Sequence, residues 1–233
     1  MRFKPLLFVG LGLVSCSLLT NVAQAAPITG MANIAGNVGV TFTSINFNPS
    51  FVNTTGAMET GSFSGLTGGT IQSLSGGPTT GATNVPGFAT FTTGVATPVV
   101  FDLTFISPGV GTAAGCTSAA LGSSCTPPGS PFTLLQLTSS TVVATLQLNG
   151  NAYTGSAATG TTPTVGVFST QLVAPGTIPA VLAQLAAGGV TGITYSASFI
   201  ANTTNPVPEP ASMLLLGLGL VGAGLVARRK VNS

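Results

Sequence analysis

Between Ala26 and Asn205 the chain carries only two charged residues, Glu59 and Asp102. A stretch of roughly 180 residues is long enough for one domain with a real core. Its apolar positions are filled by Val, Phe, Ile and Leu, which makes it too apolar for charge-driven disorder. The expectation is a packed domain whose surface is made of hydroxyls and amides. All five Lys and Arg lie outside this body, as Arg2, Lys4, Arg228, Arg229 and Lys230. The body's formal charge is therefore −2, although the whole chain's is +2. With no basic patch to neutralise phosphates, nucleic-acid binding is excluded.

A chain with so few charges must specify its fold by pattern. Residues 98–106 alternate Val99, Phe101, Leu103 and Phe105 with Val100, Asp102, Thr104 and Ile106, the period of a strand. Similar alternation marks 38–44, 45–48, 132–137, 141–148, 165–173 and 193–201, with weaker candidates at 61–66, 70–74 and 88–92. Asn149-Gly150 reads as a hairpin turn, because both residues accept positive φ, with 152–154 beginning the return strand. One segment departs from this period: Ile178, Val181, Leu182 and Leu185 recur at helical spacing, with Thr177 placed to cap and Gly188-Gly189 to terminate. Many short strands between Gly, Pro and Thr turns predict an all-β fold, an antiparallel β-sandwich or jelly roll with one short helix.

Catalytic chemistry is poorly provided for. The chain has no histidine, and Ser and Thr nucleophiles have no base to activate them. A two-carboxylate hydrolase would have to pair Glu59 with Asp102, yet Asp102 stands mid-strand, as an outward or hydrogen-bonded structural residue. No catalytic, cofactor or metal residue is assigned, and the body is expected not to be an enzyme. Tyr153, Tyr195 and the phenylalanines are the aromatic surface a glycan would need, although the phenylalanines read first as core. Cys116 and Cys125 form an even pair in one Gly/Ser/Thr/Pro-rich loop, and a disulfide is the natural reading for an exported chain. The Asn-x-Thr sequences at Asn53 and Asn202 read as composition rather than as modification sites.

Both ends of the chain read as addresses. Arg2 and Lys4, the apolar run 6–14 and Ala23-Gln24-Ala25 have the order of a secretory signal peptide over 1–25, cleaved before Ala26. Leu13-Val14-Ser15-Cys16 resembles a bacterial lipobox, which would instead make Cys16 the first, lipidated residue. At the other end, residues 211–227 contain no charge and at about 1.5 Å per residue would make a helix of roughly 25 Å. That is slightly short of the roughly 30 Å hydrocarbon core, a mismatch that snorkelling and bilayer thinning absorb. Arg228, Arg229 and Lys230 behind it would stay on the cytoplasmic side. Gly217, Gly219 and Gly222 spell GxGxxG by accident, since no strand precedes them.

The order Pro208-Glu209-Pro210, apolar segment, basic cluster resembles the PEP-CTERM sorting signal of bacterial exported proteins. The resemblance covers the tail 208–233 and implies processing by a membrane protease, an exosortase, in exopolysaccharide-producing bacteria. The chain then divides into signal peptide 1–25, β-rich exported domain 26–201, linker 202–207 and sorting signal 208–233 with a transmembrane helix. The expectation is a protein held at the inner membrane through that helix, then displayed at the cell surface or in the matrix, with exopolysaccharide as a candidate partner. Its leading role is structural. A carbohydrate-binding adhesin is the alternative, and a hydrolase the third reading.

Overall fold

The alternating stretches form strands, and all of them join one antiparallel sheet. The computed structural model describes residues 26–41, 44–53, 59–75, 79–157, 160–173 and 176–202. The expected signal peptide, nearly all of the linker, and the sorting tail with its apolar segment and basic cluster lie outside the described residues. In chain order the strands are β1 (Gly30–Val40), β2 (Ser44–Phe47), β3 (Ser50–Asn53), β4 (Gly68–Ile71), β5 (Leu74–Ser75) and β6 (Gly81–Thr93). They continue as β7 (Val99–Ile106), β8 (Ser124–Cys125), β9 (Thr133–Thr138), β10 (Thr141–Thr154), β11 (Thr162–Leu172) and β12 (Val190–Ala201). Helix α1 (Ile178–Ala186) lies between the last two. Among the described residues no helix is long and apolar enough to cross a membrane.

The antiparallel, strand-dominated class with one short helix is as expected. The strands lie in one curled sheet, however, where a sandwich would stack two. Neighbours run β11, β12, β1, β3, β4, β6, β7, β10, and β10 pairs back onto β11, closing a ring. Closure follows from strands long enough to hold two neighbours along one edge. β10 pairs with β9 through residues 141–145 and with β7 through 148–154. β1 pairs with β3 at Ile34 and Ala35 and with β2 at residues 38–40. One half of the ring is thus sealed, while the other splays into two flaps, β9 with β8 and β2 with β5. Every pairing that closes the ring lies between Gly30 and Ala201, so this stretch carries its own complete fold.

Phenylalanines fill the sealed half. Phe199, fully buried, meets Phe91, Phe101 and Phe168 with ring centroids at 5.1, 5.2 and 5.6 Å, all edge to face. Each such ring contributes about 1.5–3 kcal/mol by burial, and edge-to-face pairs add about 0.5–1.5 kcal/mol. These rings need room, and in-strand glycines supply it. Gly36 faces Tyr195 and Gly166 faces Phe199 across β12, and a Cβ would stand 2.8 Å and 2.9 Å from the respective rings.

Asn149-Gly150 is not a turn. Both residues sit inside β10, where the register against β7 slips between them. A Cβ at Gly150 would collide with the Asp102 carbonyl oxygen and stand 2.7 Å from the Phe101 ring. The glycine therefore serves close approach, and the hairpin to β11 turns later, between Thr154 and Thr162. The bulge also resets the alternation of β7: Val99, Phe101 and Leu103 are fully buried, but Phe105 points out and Ile106 points in. Residues 61–63, read as part of a strand, instead form a 3-10 turn ending in buried Phe63.

Cys116 and Cys125 are bonded, with sulfurs 2.01 Å and Cα atoms 4.7 Å apart. Cys125 is fully buried in a second core cluster with Leu134, Val142, Ile178 and Val181. The bridge closes a loop with a sequence separation of 9, for which chain entropy gives about 2–3 kcal/mol. The double change Cys116→Ser with Cys125→Ser is expected to lower the free energy of urea unfolding by that amount, and an unchanged midpoint would contradict it.

Candidate functional site

The two carboxylates of the body have different surroundings. Asp102 accepts hydrogen bonds from the Gly87 N–H at 2.6 Å and the Tyr153 hydroxyl at 3.2 Å. Gly87 has φ +60°, the left-handed conformation of a bulge in β6. Gln72 Nε2 donates to the carbonyls of Pro86 and Gly87 at 2.9 and 2.8 Å. Asp102 and Gln72 together satisfy the backbone that this bulge frees. Glu59 lies beside the start of β1, where the neighbouring Thr60 N–H donates to the Met31 carbonyl at 3.1 Å. Its Oε1 is buried without a hydrogen-bond partner among the described residues, and no hydrogen bond joins it to Asp102.

The tyrosines differ in their surroundings. Partial burial, then the charge of Asp102 and the hydrogen bond to it, raise the Tyr153 pKa above 10.0. Burial alone pushes Tyr195 up to about 12, and its hydroxyl has no partner among the described residues. Each group holds its proton more tightly folded than unfolded. The stability this contributes is complete below pH 10 and is lost as the pH rises through about 12 for Tyr195. Alkaline absorbance titration is expected to show both phenols ionising late, and Tyr195→Phe to remove part of the alkaline loss of stability. Ionisation of both at the free-tyrosine pKa would refute the buried setting.

The splayed half of the ring holds a pocket of about 180 Å³. Phe47, Phe168 and Tyr195 form its floor, with centroids 5.3, 5.4 and 5.5 Å apart. Val38, Ile45, Leu146, Val190 and Ile193 line the walls. Helix α1 adds Val181 and Leu185 from one side, and the proline-rich loop 127–131 with Phe132 borders another. Among the described residues none that lines it is charged. From the sequence the phenylalanines read as core and Tyr195 as a surface for a glycan; Tyr195 is instead buried at 4 % exposure beside Phe47 and Phe168. Pro127-Pro128-Gly129-Ser130-Pro131 connects β8 to β9 within one flap, and three of its five residues are prolines with no N–H to donate. Among the described residues no group of three or more acidic or thiol side chains could hold a metal ion.

Of the site residues read from the sequence, Cys116 and Cys125 meet as expected. The sorting residues Pro208, Glu209 and Pro210 and the basic cluster Arg228, Arg229 and Lys230 fall outside the described residues. The last strand ends at Ala201, and the Asn202 N–H reaches the Pro163 carbonyl at 3.4 Å, so the chain leaves the ring at its sealed end. No curated protein and no solved structure matches the chain. The tail does match: residues 206–230 fit the family model of the PEP-CTERM protein-sorting motif, so this segment is similar to sorting signals of that kind.

Proposed function

We propose that this is an exosortase-processed surface or extracellular protein whose β-rich body plays a structural, non-enzymatic part in a polysaccharide matrix. The sorting motif at residues 206–230 carries the reading of export and processing. The structural role is supported by the body's chemistry. A domain with two carboxylates and no basic residue presents hydroxyls and amides, with single exposed apolar side chains such as Val110, Leu121 and Val173 among them, a nearly uncharged surface compatible with a hydrated neutral polymer. Asp102 is committed to Gly87 and Tyr153, which leaves a paired-carboxylate hydrolase without its second group.

Intact-mass measurement of the protein recovered from the cell surface tests the processing. The expected species begins at Ala26 and lacks the apolar segment 211–227. Recovery of a chain running from Ala26 to Ser233 would overturn processing, and a lipidated Cys16 would replace the signal-peptide reading with a lipoprotein. A glycan array on residues 26–202 tests the structural role, because saturable binding of a defined saccharide would make the body an adhesin.

A further inference from the structure

We propose that the pocket in the splayed half of the ring binds an uncharged, mainly apolar small molecule, of the bulk of one aromatic ring or a hydrocarbon chain of similar volume, with at most one hydroxyl or carbonyl oxygen. Four observations assign this chemistry.

Size comes first. A dry cavity of about 150 Å³ lined by Leu, Ile and Phe takes up benzene, and this one measures about 180 Å³ with Phe, Leu, Ile and Val around it. The lining also includes Ser130, Thr145, Ser169 and Thr170, but apolar side chains outnumber these hydroxyls, so most of the volume offers water fewer than the two to four polar partners it needs. Charge comes second. Neither Glu59 nor Asp102 lines the pocket and the body has no cation, so an ionised ligand head would be desolvated without a counter-ion.

The third observation is the floor. Tyr195 is 4 % exposed, and its hydroxyl, without a partner, sits in the space left by the missing side chain of Gly36. That hydroxyl is turned onto Gly36, which does not line the pocket, so a ligand meets the rings of Phe47, Phe168 and Tyr195, and Ser130, Thr145, Ser169 and Thr170 are lining residues whose hydroxyls can take a ligand oxygen. The fourth is access. Gly30 pairs with Ala201 at the sealed end, whereas Val190 and Val40 line the pocket at the opposite end of the same two strands. At about 3.3 Å per residue the two ends of β12 lie on the order of 35 Å apart, so the chain enters β1 and leaves β12 at the end away from the pocket.

The experiment uses residues 26–202, the self-contained ring. N-phenyl-1-naphthylamine, a neutral apolar fluorophore, is titrated first, then displaced with 1-octanol, octanoate or maltose. The expected result is saturable, one-to-one fluorophore binding that octanol reverses, with octanoate at least about tenfold weaker for want of a counter-ion and maltose without effect. Ala144→Phe, which fills the pocket from β10, is expected to abolish binding while the thermal midpoint holds. Leu121→Ser, at a side chain exposed on the cysteine loop, is expected to change nothing.

Should Ala144→Phe fail to fold, tyrosine emission decides the matter. The chain has two tyrosines and no tryptophan, so in Tyr153→Phe the emission is Tyr195 alone, and octanol is expected to alter it saturably. No fluorophore binding, equal potency of octanol and octanoate, displacement by maltose, binding that survives in folded Ala144→Phe, or Tyr195 emission indifferent to octanol would each overturn the proposal.

Discussion

A chain ending before Val207 is expected to leave the membrane fraction almost entirely and to be found in the periplasm or the medium, folded. Residues 211–227 carry no charge and Arg228, Arg229 and Lys230 follow at once. An uncharged segment of that length partitions into the bilayer, and the basic cluster fixes which side it ends on. The body offers no substitute anchor by charge, because it has no Lys or Arg to be attracted to an anionic lipid surface. Membrane association is expected to fall by on the order of tenfold or more, since spanning segments insert almost irreversibly while soluble domains do not.

The measurement is fractionation of cells expressing the full chain beside cells expressing the chain cut at 207. The shortened protein should keep its fold, because the pairings that close the ring end at Ala201. A membrane fraction unchanged by the deletion would remove the tail as the basis of localisation. Loss of the protein altogether would indicate that the tail shields the body from proteolysis, a role the closed ring gives no reason to expect.

Period-two alternation was legible wherever a strand faced the interior on one side without interruption. Residues 141–148 became part of β10 and 99–103 the first part of β7 for that reason, and the apolar spacing around Val181 became α1. Glycine defeated the reading because it serves two purposes that look alike in sequence. At Gly188 and Gly189 it ends a helix: φ is +136° and +107°, and their N–H groups reach the Leu185 and Gln184 carbonyls, a Schellman closure. At Gly36, Gly150 and Gly166 it lies inside strands and makes room for a ring or a neighbouring backbone. Distinguishing the two needs the partner strand, which lies far away in sequence. The pocket was illegible for the same reason, since its walls come from β1, β2, β10, β11 and β12 and exist only after the ring has splayed.

Gln136→Leu is expected to be the most damaging single substitution to the helix side of the pocket, at a cost of about 4 kcal/mol, from two buried backbone groups left unpaired at about 1–3 kcal/mol each plus the lost local bonds. Gln136 is fully buried on β9. Its Nε2 donates to the carbonyls of Thr138 at 2.6 Å and Gly176 at 2.8 Å, and its Oε1 accepts from the Ile178 N–H at 3.0 Å. Ile178 opens α1, so this N–H is one that no helical carbonyl can satisfy. Thr177, the cap expected from sequence, has extended backbone angles but makes no side-chain capping bond. A glutamine from a distant strand holds the helix instead.

Leucine matches the side chain's bulk and supplies neither donor nor acceptor, so the deficit falls on the Gly176 carbonyl and the Ile178 N–H rather than on packing. For a domain of this size the loss corresponds to a fall in the thermal midpoint of roughly 10 °C. Gln136→Glu separates the two halves of the network: it keeps an acceptor for Ile178 but turns a charge toward the Thr138 and Gly176 carbonyls, and should be no better than leucine. Hydrogen exchange is expected to show α1 losing protection before β10 and β12 do, because the ring closes without the helix. If α1 keeps its protection in Gln136→Leu, the contacts of Ile178 and Val181 with the second core cluster hold it unaided. Early loss of α1 would instead make one buried amide the latch on that wall of the pocket.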